Sequence, residues 1–217
     1  MPDVLRVFVG YDPREAVAYH VCCQSILENT DAHISFHPVR GDRRDGSNDF
    51  IYSRFLVPWL CSFSGRAVFV DGDMVVRGDI AELFDYQLSY CGVRVVKHDY
   101  RTKYPVKYLG NKNEDYPRKN WSSVILWNCA YSPNRKLTPE FVAHKTGNYL
   151  HRFLWLADEQ IGELPQEWNR LVMEQPVQDA DQLLHYTIGA PCFPEYADCD
   201  AADEWHAAYR SATAPCR

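Results

Sequence analysis

The chain has 217 residues, 46% of them hydrophobic and 14% aromatic, with a formal net charge of −6. It is long enough for one sizeable core, read as a single domain over residues 1–197 with a tail over 198–217. The acidic balance argues against nucleic acid as a partner, and no apolar run approaches the ~20 residues of a membrane span.

The opening MPDVLRVFVG lacks a basic segment followed by a long apolar stretch, so no secretory signal is expected. A β-branched run over residues 4–9 ends in Gly10-Tyr11-Asp12-Pro13, where Asp12 and Pro13 make an N-cap and first helical residue. Ala18, Cys22 and Ile26 recur at i+4, which predicts a helix over 13–28. Residues 33–39 read as a strand, 41–49 as a polar loop, 53–63 as a helix and 67–70 as a third strand. A helical turn is expected over 79–84, strands over 92–97 and 123–128, and short helices mixed with loop over 139–160. Residues 98–120 are polar, rich in Tyr, Lys and Asn and without a period, and a loop of that length is usually functional or mobile. The Ala- and Asp-rich tail is expected to be helical. Strands alternating with helices imply a parallel α/β sheet, whose ligands bind at the strands' carboxyl ends, where both Asp12 and Asp71 fall.

Eight cysteines (Cys22, Cys23, Cys61, Cys91, Cys129, Cys192, Cys199 and Cys216) form no C-x-x-C pair. They read as reduced thiols of a cytoplasmic protein, with Cys199 and Cys216 left open for other behaviour.

In AVFVDGDMVVRGDI an apolar run stops on Asp71-Gly72-Asp73 and resumes at Met74. Residues i and i+2 of an extended chain project to one side, and Gly72 adds no bulk between the carboxylates and permits an unusual bend. Two carboxylates so close repel, and a divalent cation with open positions for phosphate oxygens removes the conflict. The same tripeptide also serves as two solvated loop carboxylates. VFVDGDMVV fits the haloacid-dehalogenase phosphatase pattern as well, although a βαβ unit precedes it and no later paired-acid motif follows a strand. Far downstream, Leu184-His185-Tyr186-Thr187-Ile188-Gly189-Ala190-Pro191 sets a histidine before a Gly and a Pro suited to a tight turn over a ligand. Such a histidine is either a core residue or, with the two carboxylates, part of a mixed N/O set for Mn2+ or Mg2+.

Four segments in order resemble the family-8 glycosyltransferases, the retaining, metal-dependent group that includes glycogenin and bacterial lipopolysaccharide galactosyltransferases: RVFVGYDPREAVAYHVCCQSI, YSRFLVPWL, VFVDGDMVVRGDIAELF and LHYTIGAPCF. The resemblance spans residues 4 to about 196 and is nearest to short bacterial members. It implies the GT-A fold, a Rossmann-like, mostly parallel central sheet flanked by helices. It also implies a nucleotide-sugar donor, expected to be UDP-linked, and a glycan or other hydroxyl acceptor. Carried over by position, Asp71, Asp73 and His185 would bind the metal. Gly10, Tyr11 and Asp12 would line the nucleobase and ribose pocket, with Gly72, Ser122, Ser123 and Gly189 also on the donor. Arg54 would reach the donor's sugar or phosphates, and Asp158 with Glu159 would lie beside the transferred sugar.

The chain departs from that pattern in three places. The acidic–amide pair is here Asp158-Glu159-Gln160, Asn120 precedes Trp121-Ser122-Ser123 one position early, and no lysine lies between His185 and Tyr196 to grip the diphosphate. Arg54 also reads as a surface cation and Asp158 as a helix-end carboxylate. Tyr100, Tyr104, Tyr108 and Trp121 make the 98–120 loop either an acceptor surface or an ordinary solvated loop. No dedicated base stands at a diagnostic spacing, which a same-face, retaining transfer would not need. The departures also motivate a catalytically weak nucleotide-sugar-binding protein as an alternative.

Overall fold

The computed structural model describes residues 4–41 and 48–214. Most of the loop expected over 41–49, and Cys216, lie outside the described residues. Among the described residues nine strands form two sheets: β1 (Leu5–Gly10), β2 (Ile34–Val39), β3 (Arg66–Val70), β4 (Met74–Val76), β5 (Val93–Val96), β6 (Val124–Asn128), β7 (Ile161–Leu164), β8 (Arg170–Leu171) and β9 (Leu183–His185). The six-stranded sheet runs β2-β1-β3-β6-β5-β7, and β4-β9-β8 make a second, three-stranded sheet. In the large sheet only β6 runs antiparallel to its neighbours.

The central strands are apolar without alternation because both faces of the sheet are covered. Val7, Val9, Val68, Val70, Val124 and Leu126 pack into one core, whereas Phe8, Phe69, Ile125 and Trp127 pack into the other. Helix α1 (Ala16–Glu28) follows a 3-10 turn at Pro13–Glu15, and Asp12 caps it by accepting from the Arg14 N–H at 2.9 Å. Cys22 and Ile26 of α1 join the first core, and Ala18 and Val21 join a third cluster with Trp205 and Ala208 of the tail. That tail is helical over Ala202–Ala212.

The helix expected over 53–63 is shorter than its sequence suggests. A 3-10 turn (Ser53–Leu56) leads into α2 (Val57–Leu60), and Ser62 and Phe63 then take left-handed φ values of 51° and 52° to turn the chain into β3. Short helices occupy Pro139–His144 (α3) and Gly147–His151 (α4), so the tail helix is α5. Strands β7, β8 and β9 are four, two and three residues long, too short to carry a period of their own.

Two pairings position the site. Val70 at the carboxyl end of β3 pairs with Val124 at the start of β6, so Asp71 donates its N–H to Ser123 O at 3.0 Å. Met74 of β4 pairs with His185 of β9, so Tyr186 donates its N–H to Asp73 O at 3.0 Å.

Candidate functional site

The two ends of the acidic tripeptide are thus pinned by different parts of the chain. Gly72 sits between them in a bend made without a positive φ, and a Cβ there would lie 2.2 Å from the Gly10 carbonyl oxygen, so this glycine also supplies room for β1. His185 Nε2 stands 3.4 Å from Asp73 Oδ1 and 3.8 Å from Asp71 Oδ2. One ligand atom from each of the three residues lies within 4.8 Å of the others, and all three residues are buried.

Arg54 is buried rather than on the surface. It holds Asp71 Oδ1 at 2.7 Å and donates to Ser122 O at 2.9 Å, and its guanidinium lies over the rings of Phe50 and Phe69 at 5.1 and 5.0 Å. Burial pushes the Asp71 carboxyl up to about 6 against the pull of Arg54, and the Asp73 charge adds to the rise. Burial also opposes the ionisation of Asp73, but the neighbouring His185 and then Lys107 overcome it and hold that carboxyl below the usual range. The pair therefore behaves as coupled carboxylates, one ionised and one readily protonated.

A cavity of about 440 Å3 opens on this cluster. Arg54, Asp71, Asp73, Ser122, Ser123 and His185 line it, joined by Lys107, Tyr116 and Asn120 from the 98–120 loop. Lys107 was invisible to sequence reasoning, because its neighbours come from the fold and not from spacing. Its half-buried ammonium donates to Thr187 Oγ1 at 3.1 Å, and burial lowers it to about 8 while Asp73 and Asp71 pull the other way.

Three of the aromatic residues expected to form an acceptor surface, Tyr100, Tyr108 and Trp121, are engaged by other side chains, although Tyr108 also lines the cavity. Tyr108 stacks on Phe193 at 5.1 Å and donates to Glu15 Oε1 at 3.3 Å. Lys119 lies over Tyr100, and Lys97 and Arg118 lie over Trp121. Tyr116 is the partly open ring on the cavity wall, 41% exposed. His151 also lines the cavity, with Nδ1 2.7 Å from Ser122 Oγ.

Other expected residues are not brought to this cavity. Asp12 is enclosed by Arg14 at 2.6 Å and by the Asp49 N–H at 3.1 Å. Tyr11 meets Tyr19 edge-on, Gly10 packs under Phe50, and Gly189 packs under Tyr196. Asp158 and Glu159 are exposed in a 3-10 turn (Asp158–Gln160), where Asp158 pairs with Arg118 at 2.5 Å and Gln160 Oε1 accepts from the Ala157 N–H at 3.0 Å.

The donor set fits a divalent cation. Asp73 Oδ1 is buried without a hydrogen-bond partner, and an imidazole nitrogen and a second carboxylate stand beside it. Leaving such an oxygen unpaired is costly, and an oxygen- and nitrogen-binding ion such as Mn2+ or Mg2+ would relieve it.

Protein CDI of Arabidopsis thaliana is 42% identical over 217 residues, covering 92% of this chain and 84% of the relative. The chain belongs to the Protein CDI family. No family model matches it.

Among solved structures, this CDI-family chain is similar to the apo glycosyltransferase GlyE of Streptococcus pneumoniae TIGR4, with TM-score 0.66, 13% identity, and coverage of 94% of this chain and 60% of that one. It is similar to the galactosyltransferase LgtC in complex with donor and acceptor sugar analogues, with TM-score 0.64, 14% identity, and 98% of both chains covered. It also matches the apo bifunctional glycosyltransferase WbbM, with TM-score 0.61 and 16% identity over 96% of this chain, and spans half of that protein's length. The CDI-family chain therefore has the GT-A fold: a mixed α/β domain with a mostly parallel central sheet.

Proposed function

We propose that the chain is a metal-dependent glycosyltransferase that moves a sugar from a nucleotide-sugar donor, UDP-linked, to a hydroxyl of a glycan or similar acceptor with retention of configuration. The observation that carries this reading is the meeting of His185 with Asp71 and Asp73 at the floor of the cavity. Asp71, Asp73 and His185 would hold Mn2+ or Mg2+, which when bound neutralises charge on a departing diphosphate.

The chain's own residues supply the rest. Arg54 fixes Asp71 in place and keeps a positive charge beside it. Lys107 is the cation placed to meet a phosphate, taking the part of the lysine missing after His185. Ser122, Ser123 and Asn120 offer hydrogen bonds along the wall, and Tyr116 offers a ring face to a sugar. The setting proposed is the cytoplasm, which suits the seven unpaired cysteines among the described residues. Among the described residues no helix is long and apolar enough to cross a membrane.

A second reading has one observation in its favour. Asp158 and Glu159 stand on the exposed 3-10 turn, with Asp158 paired to Arg118, which fits a chain that binds a nucleotide sugar and transfers it slowly. A panel of UDP-, GDP- and CMP-sugars incubated with and without Mn2+ separates the readings. UDP or GDP (CMP from a CMP-sugar) released only with Mn2+ is the result expected of a transferase, and binding without release favours the second reading. Release of inorganic phosphate, or turnover undiminished by EDTA, would contradict both.

A further inference from the structure

Asn169 closes the 3-10 turn Gln166–Asn169 immediately before β8, and β8 lies parallel to β9 with Leu171 opposite His185. Its side chain is fully buried. The Nδ2 group donates to the backbone carbonyl of Asn120 at 3.3 Å, and Oδ1 lies 3.0 Å from His185 Nδ1. A backbone carbonyl can only accept, so it fixes which way round the amide stands. The oxygen facing His185 is then an acceptor, and the hydrogen between the two residues belongs to Nδ1. In the neutral ring this leaves the Nε2 lone pair directed at two carboxylates, an arrangement that is repulsive until a cation enters.

We infer that Asn169 is a positioning residue for the metal centre, setting the His185 tautomer that presents Nε2 to a divalent cation and tying that ring to the loop that walls the cavity. The tie runs through Asn120, which holds a left-handed φ of 61°, accepts from the Ser123 N–H at 3.3 Å and donates Nδ2 to Tyr100 Oη at 2.8 Å. Asparagine is among the few residues that adopt this conformation readily, so the carbonyl that orients Asn169 is itself held by local backbone chemistry. No spacing in the sequence joins Asn120, Asn169 and His185; β8 and β9 bring them together.

This inference rests on the proposed metal site, and its test is chosen so that the two can fail separately. The first arm is 15N NMR of His185 in the metal-free wild-type protein, with the neutral ring expected to carry its proton on Nδ1. A neutral ring protonated on Nε2 overturns the inference and leaves the metal site standing. The second arm is Mn2+ titration. Asn169→Leu removes the acceptor and is expected to weaken Mn2+ binding by about 10- to 100-fold, the usual effect of losing such an outer partner. Asn169→Asp keeps an acceptor on Nδ1 and is expected to stay within a few-fold of wild type. Equal loss in both variants would mean that Asn169 merely fills space. A wild-type protein that takes up no Mn2+ would overturn the metal reading and this inference with it.

Discussion

Asp71 is held in the fold at a cost. Its carboxyl is raised from 3.8 to about 6, chiefly by burial, so its contribution to stability is fully present below pH 3.8 and is lost as pH rises through about 6. Asp71→Asn keeps the neutral shape and should therefore stabilise the metal-free protein at pH 7.5 by about 3 kcal/mol, at 1.36 kcal/mol per pKa unit. Thermal unfolding in EDTA should show a midpoint a few degrees higher in the variant, which should nevertheless fail to bind Mn2+. A lower midpoint would mean that Asp71 serves the fold and not a ligand. Gly72→Ala tests the neighbouring position: a methyl 2.2 Å from the Gly10 carbonyl has no room, and a loss of about 3 kcal/mol is expected in chemical denaturation. The acidic pair was legible in the sequence because a buried strand rarely ends on two carboxylates without a reason. Lys107 and Asn169 were not, since a lysine in an aperiodic loop and an asparagine in a short turn gain chemistry only from what the fold sets beside them.

One wall of the site comes from a short hairpin inside the 98–120 loop, closed by the Val106–Lys112 bridge. It docks on the block after β9: Tyr108 donates its N–H to Ile188 O at 2.8 Å and stacks on Phe193, while Lys107 reaches Thr187. Phe193→Ala removes the surface under Tyr108. Amide exchange in residues 105–112 should quicken, and affinity for nucleoside diphosphate should fall about tenfold as Lys107 loses its place, with Mn2+ affinity unchanged. Unchanged exchange would show that the hairpin does not depend on that contact.

The length and polarity of this loop fit either an acceptor surface or an ordinary solvated loop. Of the four aromatic residues the sequence offers there, Tyr100 and Trp121 lie under cations and Tyr108 stacks on Phe193, Tyr104 does not line the cavity, and the exposed ring on the wall is Tyr116, which was not among them. Strand period and caps located β1, α1, β3 and β6 well, because both faces of the sheet demand long apolar runs. Strands β7 to β9 escaped it because their pairing is decided by tertiary neighbours. The block ending β9 was nonetheless legible from its His, Gly and Pro, and the antiparallel pairing of β4 with β9 brings its histidine to the acidic pair.

For the whole molecule, buried imidazoles set the acid limit. Burial lowers His98 and His151 to about 3, so each contributes stability that is complete above pH 6.5 and is lost as pH falls toward 3. Asp71 and Glu15, both raised by burial, work in the opposite direction over part of that range. Each ring should by itself lose about 2.5 kcal/mol between pH 7 and pH 4.5, roughly 5–10 °C in the thermal midpoint. His98→Met should raise the midpoint at pH 4.5 relative to that at pH 7 by about that amount, and a pH profile identical to wild type would contradict a buried neutral ring at His98.

A cation that binds the native state raises stability by mass action, so metal, fold and site can be read in one experiment. The most direct measurement is calorimetric titration of Mn2+ into the wild-type protein, Asp73→Asn and His185→Ala at pH 7.5, each first verified as folded. The account predicts one saturable site in the wild type and a loss of at least about 100-fold in both variants, since each removes one of three protein ligands. Equal Mn2+ affinity in all three proteins, or none in the wild type, would contradict it.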